Sequence, residues 1–325
     1  MRSGSTMGLW IALTSAAAFG LSGPFAKSLL EIGWSPGAAV GVRIGGGALV
    51  LLIPVLLGLR GRWRTLRRNW LTLAIYGATA IALCQFFYFS AVQRMSVGVS
   101  LLLEYIAPVL IVGWLWLRTK RTPSTFTIVG SVIAMVGLML VLDLSGDQRL
   151  DPLGVVFGLA AAVCVGVFFV MSAKADDDLP PLIMAGAGMV VGAVVILILG
   201  VVGVMPFAFE FRNVHLAGWQ THWMVPILGL VLVSTAFSYV TGIFAARSLG
   251  SKVASFAGLT EVMFAVLWAW LLLDELPSGI QLLGGSLIVV GVILVRIDEG
   301  RRRTGAADPL DQPNVVEPLP SGPGS

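Results

Sequence analysis

Long apolar runs, separated by short polar or basic punctuation, dominate the chain. A helix needs about 20 apolar residues to cross the hydrocarbon core of a bilayer. The pattern predicts ten such spans, over residues 8–27, 36–58, 70–90, 98–117, 124–142, 153–172, 181–204, 224–244, 253–273 and 278–296. These runs are continuous rather than alternating, which argues against transmembrane β-strands. Arg2 and the small residues Ser15 to Ala18 imitate a cleavable leader. The run continues to Phe25 and nine spans follow, so an uncleaved first helix is expected. Polar Pro-, Gly- and Asp-rich sequence after Arg301-Arg302-Arg303 predicts a disordered tail.

An internal repeat organises the spans. Residues 91–141 align with residues 245–295 without a gap, at an offset of 154. Trp114 meets Trp268, Trp116 meets Trp270 and Pro123 meets Pro277. Gly130 meets Gly284, and Gly137 meets Gly291. A weaker match places Gly8 with Gly154 and Gly20 with Gly166. Each half then holds five spans. Because five is odd, the second copy enters the membrane in the opposite sense. The expected fold is an all-α polytopic membrane protein, with ten transmembrane helices as two inverted five-helix repeats around a central cavity. The expected division is an N-terminal segment 1–7, a first repeat 8–144, a second repeat 152–296 and a tail 297–325.

Composition supports a membrane chain. Apolar residues make up 57% and charged residues 12% of the 325 residues, which excludes a soluble globular enzyme and a disordered chain. The net charge of +4 does not point to nucleic acid, because the basic residues are distributed as orientation signals. Sixteen of the 21 Lys and Arg residues fall on one set of alternating loops, four on the other, and Arg43 lies inside a span. The positive-inside rule then places both termini in the cytoplasm and the chain in the cytoplasmic membrane. Cys84 and Cys164 lie in apolar runs, and His215 and His222 are seven apart in a polar stretch. Neither set has metal-ligand spacing, so no metal is expected. Small-residue stripes such as Gly37, Gly41 and Gly45 suit close helix packing, within a monomer or across a homodimer.

The helix-end stretch Leu117 to Pro123 with the Gly130–Gly137 helix, and its second copy Leu273-Asp274-Glu275-Leu276-Pro277 with Gly284 to Gly291, resemble the EamA-type drug/metabolite transporter superfamily. The resemblance covers residues 8 to 296. The stretch from Ala91 to Gly98, followed by Leu103-Glu104-Tyr105-Ile106-Ala107-Pro108, is similar to the amino-acid exporter branch, which includes threonine and homoserine exporters. The resemblance implies a helical basket whose cavity is lined by helices 1, 3, 4, 6, 8 and 9. The second copy departs from the family pattern at Val262, opposite Pro108, which questions whether both halves bend alike.

Charges inside a bilayer cost about 2.5–3.5 kcal/mol each on the insertion scale, so each needs a reason. Glu104, Glu261 and Arg43 are such charges. A carboxylate in a partly dry cavity can exchange a proton near neutral pH, or hold a substrate cation instead. Arg43 can hold a substrate carboxylate, or pair with Glu104 and lock helices together. Pro108 frees a carbonyl in mid-helix. Gln85, Tyr88, Tyr105, Ser238 and Tyr239 are candidates for cavity hydrogen bonds, against the alternative of interhelical packing. The reading is a secondary transporter of a small molecule, working by alternating access, with proton coupling as a finer form and amino-acid export as what the resemblance implies. No nucleotide-binding loop is present and no cofactor is expected. An intramembrane enzyme and a non-transporting sensor or scaffold are the alternatives. The absence of HExxH and GxSxG motifs disfavours the enzyme.

Overall fold

The computed structural model describes residues 2–60, 63–120, 122–143, 151–174 and 179–305. Arg62, Arg121 and Arg149 of the topology argument, and the tail beyond 305, lie outside the described residues. Ten principal helices follow one another: α1 (Thr6–Glu31), α2 (Pro36–Gly58), α3 (Trp70–Val92), α4 (Val97–Thr119) and α5 (Thr125–Val141). They continue with α6 (Pro152–Lys174), α7 (Pro181–Val201), α8 (Met224–Leu249), α9 (Ser251–Leu273) and α10 (Gly279–Gly305). Among the described residues nine are long and apolar enough to cross a bilayer. The tenth, α5, has 17 residues, a rise of about 26 Å, slightly less than a bilayer core.

Local chemistry sets the ends. Ser35, Ser96 and Ser124 cap α2, α4 and α5, each accepting the backbone N–H three residues on. Lys120 after α4 and Asp274 after α9 are both left-handed, with φ of 56° and 58°, and a proline follows each three residues later. These two residues are counterparts at the 154 offset.

Three expectations need correction. The last helix runs to Gly305, beyond the boundary expected at 296. Arg and Glu are good helix formers, and no proline stands before Pro309 to stop it. Helical structure likewise begins at Arg2, within the segment 1–7. The polar stretch with both histidines is not wholly irregular: β1 (Val214–Leu216) and β2 (Trp219–Thr221) pair antiparallel. Ala217 and Gly218, with φ of 53° and 74°, make its tight turn.

The two halves pack as antiparallel mates. A Cβ on Gly130 would lie 2.9 Å from the Gly291 carbonyl oxygen, and one on Gly137 would lie 2.6 Å from that of Gly284. Residue numbers rise along α5 as they fall along α10, and each glycine faces the counterpart of the other. The same exchange recurs elsewhere. Gly8 of α1 abuts Ser248 and Leu249 of α8, and its counterpart Gly154 of α6 abuts Arg94 and Met95 after α3. This is the contact pattern of a two-fold axis lying in the membrane plane.

Among the described residues five helices are interrupted, the first of them α1, which breaks at Leu21 between Gly20 and Ser22. In α3 and α8 a π-helical turn spans Gly77–Leu83 and Gly229–Phe237. The Cys84 N–H reaches back five residues to Thr79, and the Ser238 N–H reaches Val233, at matching positions of the repeat. In α4 the helix ends at Glu104 and restarts at Ala107, with Pro108 in its first turn. In α9 it ends at Gly258 and restarts at Thr260.

Candidate functional site

These interruptions surround one cavity of about 790 Å³. Its walls come from α1, α2, α3, α4, α6, α8 and α9, with Val141 of α5 and Gln281 of α10 also lining it. Helix α2 is an addition to the six expected lining helices, and it brings Arg43. The cavity reaches the end of the molecule that carries Lys27, Pro36, Val97, Val141, Leu142, Leu273 and Glu275. At the opposite end a plug of buried Ala12, Ala246, Leu249, Val253 and Ala257 closes it.

Eight of the nine residues singled out in the sequence line this cavity: Arg43, Gln85, Tyr88, Glu104, Tyr105, Pro108, Tyr239 and Glu261. Ser238 does not. It is fully buried, and its hydroxyl donates to the Ser234 carbonyl at 2.6 Å. The π-turn before it rotates Tyr239 toward the cavity and turns Ser238 into its own helix.

Glu104 sits on the last residue before the α4 break. The Cys84 thiol, on the residue after the α3 π-turn, lies 3.5 Å from its Oε1. Pro108 has no N–H to return to the Glu104 carbonyl four residues earlier, so this backbone group is also released. Glu261 occupies the first turn of the restarted α9. Tyr105 of α4 lines the same cavity. A Cβ on Gly20 would lie 2.9 Å from the Ala265 nitrogen and 3.0 Å from the Glu261 carbonyl oxygen, so α1 presses on α9 here.

Arg43 does not form the expected ion pair with Glu104. Its Nε donates to Thr235 Oγ1 at 3.1 Å, and Thr235 in turn donates to the Leu230 carbonyl within the α8 π-turn. The guanidinium also stands 5.9 Å from the centre of the Phe19 ring. Among the described residues no carboxylate lies within ion-pair distance of Arg43. The physical reason is the π-turn, which presents a fixed hydroxyl closer than either carboxylate. Phe19, Tyr239 and Phe168 form an edge-to-face chain, with centroids 5.0 and 5.7 Å apart, along the cavity floor.

Sequence reasoning missed Cys84, Phe19, Phe168 and both π-turns. A phenylalanine in an apolar span is indistinguishable from a lipid-facing one, and π-turns carry no residue signature. The thiol had one available signal, its position opposite Ser238 in the repeat. The two histidines serve the hairpin region: His215 pairs with Gln220, and His222 accepts from the Met224 N–H.

Comparison with known proteins agrees with this architecture. The EamA-like transporter family matches residues 6–143 and 152–297. An uncharacterized transporter of Archaeoglobus fulgidus is 24% identical over 227 residues, covering 70% of this chain and 76% of that protein. A chloroplastic WAT1-related protein of Arabidopsis thaliana is 24% identical over 237 residues, 71% of this chain and 56% of that protein. A solved crystal structure superposes with a TM-score of 0.72 at 18% identity, covering 90% of this chain and 98% of that one, and this likeness concerns the fold.

Proposed function

Because the chain belongs to the EamA-like transporter family, we propose that this membrane transporter exports small amino acids or related ammonium compounds by alternating access, in exchange for protons. One observation carries the reading: two carboxylates and one guanidinium meet in a single cavity at membrane depth, each on or beside an interrupted helix. Such charges are costly in a bilayer unless used. Glu104 accepts either a proton or the substrate ammonium, which makes the two compete. Arg43 offers a donor to a substrate carboxylate, held at its distance by Thr235. The aromatic chain from Phe19 to Phe168 supplies apolar contact for the remainder. The basic loops orient the open end of the cavity outward and both termini inward.

The test is export from intact cells loaded with dipeptides, comparing the parent with a Glu104→Gln variant of matched abundance. An amino acid accumulating outside only with the parent supports the reading. Loss of at least about tenfold in rate with unchanged melting is expected, since a contact to a charged group contributes about 1.5–3 kcal/mol. Equal export by both proteins removes Glu104 from the mechanism. No differential compound in either direction of transport removes amino acids as the substrate class.

A further inference from the structure

The two ends of the molecule are held by different chemistry. At the closed end, the Lys252 ammonium at the start of α9 lies 3.1 Å from Asp298 and 2.7 Å from Glu299, both near the end of α10. Thr127 at the start of α5 donates to the same Asp298 oxygen at 2.7 Å. The Lys252 and Asp298 side chains are 12% and 6% exposed, so water screens them little. Removing one partner of such a buried pair leaves the other charge uncompensated.

The repeat identifies Gly98 for Lys252 and Gln281 for Thr127 at the open end, while Leu144, the counterpart of Asp298, lies outside the described residues. None is charged. Gln281 donates to the Val141 carbonyl at 3.2 Å, while Gly98, Leu101, Val141 and Leu142 border the cavity. Closing this end brings together small and apolar surfaces. The nearby pair Lys27–Glu275 is 48% exposed on both sides, and pairs at that exposure contribute little.

We propose that Lys252 and Asp298 are gate-positioning residues of the transport cycle. Their ion pair holds α9, α10 and α5 together at one end and must separate for the cavity to open there. Among the described residues the counterparts Gly98 and Gln281 form no ion pair, and the resting protein favours the conformation described here. The proposal rests on the alternating-access reading above and adds what biases it.

The experiment uses full-length protein in lipid nanodiscs, with Cys84 and Cys164 replaced by serine. A single reporter cysteine replaces Leu101 at the open end, or its counterpart Ser255, which is 1% exposed. Maleimide labelling rates are then compared. In the parent, the Leu101 reporter labels fast and the Ser255 reporter slowly. Lys252→Gln is expected to raise the Ser255 rate and lower the Leu101 rate, each by about fivefold or more. Lys252→Glu combined with Asp298→Lys restores the parent ratio, which a purely structural loss would not. If Lys252→Gln fails to fold, Thr127→Val carries the test, with a smaller shift in the same direction. Unchanged rates at both reporters in a folded variant overturn the proposal. Labelling needs no substrate, so a chain that exports no amino acid yet shifts its labelling loses only the export reading.

Discussion

Helices α4 and α9 break at the same place in the repeat, but only one of them has a proline there. In α4 the break covers Tyr105 and Ile106, and Pro108 follows in the next turn. In α9 it falls on Leu259, the counterpart of Tyr105, and Val262 stands where Pro108 would. There the Val262 N–H bonds the Leu259 carbonyl at 3.2 Å, and the Thr260 hydroxyl satisfies the Ala257 carbonyl at 2.6 Å. The doubt raised by Val262 in the sequence is resolved: both halves are interrupted. A break therefore forms in α9 without a proline, and Pro108 accompanies it in only one half. Chemistry then diverges on this shared frame. Glu104 precedes its break and meets a thiol, whereas Glu261 follows its break in the first turn of the restarted helix. Arg43 has no charged analogue, because α7 carries no ionisable residue.

The largest expected effect breaks the frame itself. Gly137→Val would place its Cβ 2.6 Å from the Gly284 oxygen and 2.8 Å from the Ile288 nitrogen, both backbone atoms that cannot yield. A stability loss of about 3 kcal/mol or more is expected, at the upper end of overpacking costs. Gly113→Ala, which meets nothing within 4 Å, is expected to melt like the parent. Thermal unfolding in detergent reads both. Equal melting of the two would mean that α5 and α10 do not need this contact, and the symmetry argument would lose its strongest support.

The next test separates the two halves by their charges. Arg43→Gln is expected to raise KM for an amino acid by about tenfold, since a charge-assisted bond to the substrate carboxylate is lost. An amine lacking that carboxylate should be affected by less than about twofold, within the range of a neutral change. Counterflow in proteoliposomes measures both. An equal effect on the two substrates would return Arg43 to a packing role through Thr235 and Phe19.

Much of this was legible in the sequence, for identifiable reasons. The spans and the repeat were readable because bilayer thickness fixes run length and because Trp, Pro and Gly matches stand out against apolar background. Glu104, Glu261 and Arg43 were readable because a charge in an apolar run is conspicuous. Ser238 could not be separated from Tyr239, because a π-turn shifts the helical phase by one residue and no residue type announces it. The Arg43 partner was misjudged for the same reason, since Thr235 lies inside that turn. The Lys252 cluster is not legible because Thr127, Lys252 and the adjacent Asp298 and Glu299 come from three separate helices, and each sits at a span end, where polar and charged residues are ordinary.

The smallest expected effect returns to the two breaks. If packing imposes them, Pro108→Ala should leave α4 interrupted. The new N–H would face a Glu104 carbonyl already displaced by the break, so little is gained or lost. Stability is expected to change by less than about 1 kcal/mol, and transport by less than about twofold. The reciprocal Val262→Pro removes one bond, to the Leu259 carbonyl, and should cost about 1 kcal/mol. A proline in an intact helix interior would instead cost about 3 kcal/mol or more. The two variants therefore discriminate sharply despite their small expected size. A 3 kcal/mol loss in Val262→Pro would mean that α9 is continuous in the membrane. A large transport defect in Pro108→Ala would mean that the first half depends on its proline, and that the halves differ in how they bend as well as in the charges they carry.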